Sequence, residues 1–186
     1  MSQEAIREYA KAKGFHPHTL ERWLSWKRPD GDALLELAGD LKLGENHVRD
    51  FLDWLEEIEL RDPIAIREIL QSDSIANIKS DPRLGRNDRL KRIKEQLRRL
   101  RFPRLSQLED VIEGKIRELR LPPRIKLSPP QALEGGSLRV EFSASNHEEL
   151  NFFIGKLSDA AKSAAMAEIF ALLSGEHETE TKGAAR

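Results

Sequence analysis

Apolar residues recur at three- and four-residue spacing through most of this chain, which restricts the bulk of it to short amphipathic helices. Spacing predicts helices over 3–13 and 17–26, a tight pair broken at Gly14. A second pair over 32–41 and 45–60 is broken near Leu43 and Gly44. Asp62-Pro63 reads as an N-cap followed by proline at the first helical position, opening a helix over 63–70. Residues 71–87, with Ser, Asp, Asn, Pro and Gly, read as a loop or short-helix connector. A basic helix follows over 88–101. Its Leu90, Ile93, Leu97 and Leu100 form one buried face, and Pro103 ends it.

The last third changes character. Ser106 and Glu109 form a capping box that predicts a helix to about Leu119. Arg124–Leu127 and Leu138–Phe142 alternate polar and apolar residues, as half-buried strands do, across a loop with two prolines and two glycines. Asn146 and Glu149 form a second capping box, opening a long helix to about Leu173, after which residues 176–186 read as a disordered tail. The expected fold is therefore mainly α. A helix-turn-helix bundle over 1–104 is joined to a small α+β module of α-β-β-α order over 105–175.

Composition excludes several classes. With no cysteine, neither a disulfide framework nor a thiolate metal site can form. The charged start MSQEAIREYAKAK lacks the apolar core of a signal peptide, and no window is apolar enough to span a bilayer, so the expected setting is cytoplasmic with no membrane. The phosphate-loop pattern GxxxxGK[ST] is missing, and no nucleophile, base and acid stand together. His16 and His18 lie close in sequence but without the acidic neighbours of a metal site. Neither catalytic residues nor a metal or cofactor is expected. Glu56-Glu57, on an amphipathic helix, reads as a solvated face.

Charge is unevenly placed. Residues 1–78 hold 10 Lys/Arg against 16 Asp/Glu, residues 79–105 hold 11 against 3, and residues 106–186 hold 10 against 13. A cationic segment between acidic ends points to a polyanion partner. Within it Lys91, Lys94, Arg98 and Arg101 share one helix face, with Arg92 and Arg99 beside them, and could hold phosphates. The competing reading is that this helix pairs with the acidic 45–59 face of its own chain.

In the first helix pair, Ala10, Gly14, Leu20 and Trp23 fill the crossing, turn and core positions a helix-turn-helix needs, with Tyr9 and Phe15 completing a small core. Pro17 suits the first turn of the second helix, with His16 as its cap. His18, Thr19, Glu21, Arg22 and Ser25 are then left to face outward. The run PHTLERW resembles the start of the MerR-type recognition helix of bacterial regulators. That resemblance implies contact between His18, Thr19 and Arg22 and DNA bases, and Lys11, Lys13, Lys27 and Arg28 would add phosphate contacts. The second pair, over 34–54, is strongly acidic and reads as scaffold or partner surface, since residues 30–73 hold 13 acidic and 4 basic side chains.

The run SLRVEFSASNHEEL at 137–150, together with the α-β-β-α order, resembles the C-terminal dimerisation domain of the ParB partition family. The resemblance covers about 70 residues and implies a homodimer joined through Val140 and Phe142 on the strands and through the last helix. On that helix Leu150, Leu157, Ala164 and Ala171 recur every seven residues, beside Phe153, Ala160 and Ala167, a period that favours helix pairing. A lone hairpin is barely stable in water, so its faces need a partner, whether the chain's own helices or another copy.

The resulting expectation is a homodimeric, non-enzymatic, double-stranded-DNA-binding protein, either a transcription regulator or a partition-like accessory. Two rivals stand beside it. A protein–protein adaptor would use the helix pairs as a bundle, and an RNA-binding protein would use the basic helix. Phe102 is the single aromatic near the basic stretch for base stacking.

Overall fold

A computed structural model describes residues 3–175 of the 186-residue chain; the expected tail at 176–186 lies outside the described residues. The described residues divide into two compact units, the first ending at Phe102 and the second beginning at Pro103.

The first unit is all helical among its described residues. Its helices are α1 (Gln3–Lys13), α2 (Pro17–Leu24), α3 (Arg28–Leu41), α4 (Glu45–Arg61), α5 (Ile66–Leu70), α6 (Asp73–Ser80) and α7 (Arg86–Arg101). Gly14 adopts φ +68°, a conformation glycine reaches without strain, and this closes the α1–α2 turn. Pro17 stands at the first position of α2, and the His16 ring nitrogen accepts the His18 backbone N–H, as the expected cap requires. Trp23 is fully buried against Tyr9 and Phe15. The Tyr9 hydroxyl lies 2.8 Å from the carbonyl oxygens of Ala38 and Leu43, tying α1 to the end of α3. Leu34, Phe51, Leu55, Ile93 and Leu97 extend this core from α3 through α4 to α7.

One expectation is corrected here. Asp62 does not open a helix. It closes α4, while α5 begins four residues later at Ile66 behind Ala65, which has no side chain able to cap. The cap comes instead from α3: Asp30, 3% exposed, accepts the Arg67 backbone N–H at 2.8 Å. An acceptor brought from another helix has no signature in the local sequence. Replacing Asp30 with Leu is expected to cost about 1–2 kcal/mol, the scale of a lost cap, and Asn to retain most of it. Urea titration followed by circular dichroism checks both. Residues 71–87, expected as a loop or short-helix connector, hold the short α6. Its Ile75 is fully buried, and one anchoring residue with Ile78 beside it is too short a pattern to register as periodicity.

The second unit contains α8 (Pro103–Glu118), β1 (Lys126–Ser128), β2 (Arg139–Glu141), α9 (His147–Ala161) and α10 (Ala164–Ser174). The strands form an antiparallel pair with Leu127 opposite Val140. α8 starts at Pro103, which suits a first helical position, so Ser106 lies within the helix, buried, and does not cap it. Asn146 does cap α9, accepting the Glu149 N–H at 2.8 Å. Glu149 completes the box one residue further back, on the Ser145 N–H at 2.6 Å.

The long final helix is two helices. Ser163 donates to the Ala160 carbonyl and accepts the Met166 N–H, ending α9 and starting α10. The seven-residue stripe is therefore split, with Leu150 and Leu157 on α9 but Ala164 and Ala171 on α10. Phe153 and Ala160 are buried within their own unit, Phe153 edge-on to Phe142 at 5.7 Å.

Candidate nucleic-acid interface

The residues expected to touch DNA lie on α1, α2, the start of α3, and α7. α2 and α7 both pack on α4, and α4 carries the acidic residues. Elementary electrostatics then decides which cations remain on offer.

On α2, Thr19 is turned inward. It is 4% exposed and donates its hydroxyl to Glu45 at 2.6 Å, so it does not face outward as expected. Its buried position follows from the helical period, which places it beside Trp23, four residues on. Glu45 also accepts the His16 backbone N–H at 3.0 Å, and these donors, Thr19 first, hold its carboxyl below the usual glutamate range. A carboxyl with a lowered folded pKa lends stability that is complete above its ordinary value and lost as pH falls through the lowered one. Thr19→Val is therefore expected to raise the Glu45 pKa. It should also make stability less dependent on pH below about 5, both readable by carboxyl NMR titration and acid melts.

Arg22 is engaged as well. Its guanidinium bonds Asp53 at 2.5 Å and Glu56 at 2.7 Å, and Glu56 also accepts the Trp26 indole N–H at 2.8 Å. The bond to Glu56 is the first cause of a raised Arg22 pKa. An open cleft of about 390 Å³ between α2 and α4 is walled by His18, Thr19 and Arg22 on one side and Glu45, Arg49 and Asp53 on the other. Carboxylates thus stand where a base edge would enter. Of the three expected base-reading residues, His18 alone is exposed. Glu56 and Glu57, read as a solvated face, lie at the surface and also pair, with Arg22 and Arg101.

The expected phosphate contacts divide. Lys11 and Lys13 are exposed on α1, with the Lys13 ammonium 6.0 Å from the Tyr9 ring centre. Lys27 lies 3.9 Å from Glu59 and Arg28 4.0 Å from Asp32, all near the surface. On α7, Lys94 bonds Asp50 at 2.5 Å over the Trp54 ring, and Arg101 bonds Glu57. Both cations flank the buried Ile93–Leu97 face and so meet α4. Lys91 and Arg92 stand exposed on the outward side, with Arg98 one turn on from Glu95, to which it pairs within the helix. The expected stripe of four is therefore two pairs with different surroundings.

Spacing does not identify Asp50, Asp53, Glu56 and Glu57 as partners of these cations. The acidic run over 45–59 was their one signal. Among the described residues no cluster of three or more His, Asp or Glu side chains is placed to hold a metal ion, and no helix is long and apolar enough to cross a membrane. No protein-family model matches the chain, and neither a curated protein nor a solved structure matches it.

Proposed function

We propose that the protein is a homodimeric DNA-binding protein that grips the phosphate backbone through the outward face of α7. The observation that carries this reading is the position of Lys91 and Arg92, exposed on a helix whose segment 79–105 holds 11 cations against 3 acids. Such a surface binds duplex through counterion release, with little sequence preference of its own. α2 contributes less than its sequence implies, since Arg22 and Thr19 are engaged with α4, and base reading falls to His18.

Self-association through the second unit is supported by its apolar surface. Its buried cluster is small, built on Ile112, Ile169 and Leu173. Phe152 and Ile154 on α9 are 52% and 51% exposed, and Val140, Leu150 and Phe170 are exposed too. Units of this size seldom stand on so small a core without an added partner.

Fluorescence anisotropy with mixed duplex DNA at 50 and 200 mM salt tests the reading, with sedimentation of the same sample reporting its mass. Binding that weakens steeply with salt, by a species of twice the 21.3 kDa chain mass, is the expected result. No binding at the lower salt overturns the DNA reading and leaves a protein-docking adaptor.

A further inference from the structure

α4 and α7 pair their charges in one register. Asp50 meets Lys94 and Glu57 meets Arg101, both across the same 44-residue separation. Asp50 and Glu57 lie seven residues apart, as do Lys94 and Arg101, so the two contacts sit about 10 Å apart along parallel-running helices. Arg61, one turn beyond Glu57, donates to the backbone carbonyls of Leu100 and Arg101 and pins the end of α7 against α4. Half-exposed carboxylates thus occupy these cations much as a strand of phosphates would.

The geometry points to Asp50 and Glu57 as internal competitors for DNA, holding Lys94 and Arg101 out of the interface and so setting the salt range over which the protein binds. This inference rests on the reading of α7 as the phosphate-binding helix. Each cation that joins the interface adds about 0.9 to the slope of log affinity against log salt. Wild type counts Lys91 and Arg92 but not Lys94 and Arg101.

The test compares salt slopes for mixed duplex DNA across full-length variants, each confirmed folded by circular dichroism. Asp50→Asn/Glu57→Gln is expected to steepen the slope by about 1.8, and Glu57→Gln alone by about 0.9. Lys94→Gln/Arg101→Gln should leave the wild-type slope unchanged, and the fourfold variant should return to it. Glu8→Gln/Glu68→Gln, on exposed positions of α1 and α5, makes the same change in net charge and should leave the slope where it is.

An unchanged slope in Asp50→Asn/Glu57→Gln overturns the inference. So does an equal rise in the Glu8/Glu68 control, or a lower slope in Lys94→Gln/Arg101→Gln. If wild type does not bind, the reading of Lys91 and Arg92 as the wild-type grip on DNA falls. Binding by Asp50→Asn/Glu57→Gln alone would then still uphold the masking, and binding by neither would end both.

Discussion

Lys91→Glu/Arg92→Glu is expected to abolish duplex binding at 200 mM salt and to leave the fold intact. Both side chains are exposed on the outward side of α7, on a helix anchored by Ile93 and Leu97 on the opposite side. Neutralising two phosphate contacts alone lowers the salt slope by about 1.8, equivalent to about tenfold in how far affinity falls between 50 and 200 mM. Reversal goes further, since two carboxylates then face the phosphates at close range and repel them. The melting curve is expected to stay within about 0.5 kcal/mol of wild type, as for surface changes away from packed contacts. Anisotropy and thermal denaturation on the same sample check both halves. Undiminished binding in the folded variant would remove α7 from the interface.

Trp23→Ala is expected to cost the first unit about 3–5 kcal/mol, a large part of a typical domain's stability of about 5–15 kcal/mol. The indole is fully buried, edge-on to Tyr9 with ring centres 6.2 Å apart and stacked on Phe15 at 6.5 Å. Its N–H donates to the Gly31 carbonyl at 3.2 Å. Close packing holds α3 beside it, because a Cβ on Gly31 would come within 3.3 Å of Ile6 and 3.8 Å of the indole nitrogen. Removing the ring opens a cavity between three helices that cannot collapse without moving α2, and with it the Arg22 contacts to α4. Trp23→Phe fills part of that space and should lose less, though it removes the indole bond to the Gly31 carbonyl. Urea unfolding followed at 222 nm distinguishes the two. A loss under about 1 kcal/mol in the alanine variant would mean that Trp23 does not organise this core.

Much of the helical framework was legible in the residues. The Gly14 break, Pro17 with His16 as cap, the span of the basic helix and the Asn146 cap each depend on neighbours a few positions away. Local steric and hydrogen-bonding rules act over that range, so a linear reading recovers them. The break at Ser163 was obscured by an apolar pattern that continues through it, although the serine that caps α10 was there to be seen.

The amino-acid sequence by itself determined that the chain is helix-rich, that its cations concentrate in one helix and that the next-to-last helical segment follows a capped start. Only the tertiary structure decided which charges are available. Asp30 caps a helix 37 residues away, Arg22 is claimed by Asp53 and Glu56, and Lys94 and Arg101 by Asp50 and Glu57. Periodicity assigns each side chain to a face of its own helix, but the charge that faces it depends on how helices far apart in the chain pack. For that reason the acidic α4 could be recognised in the sequence, with the basic helix as a candidate partner, and the individual pairs could not.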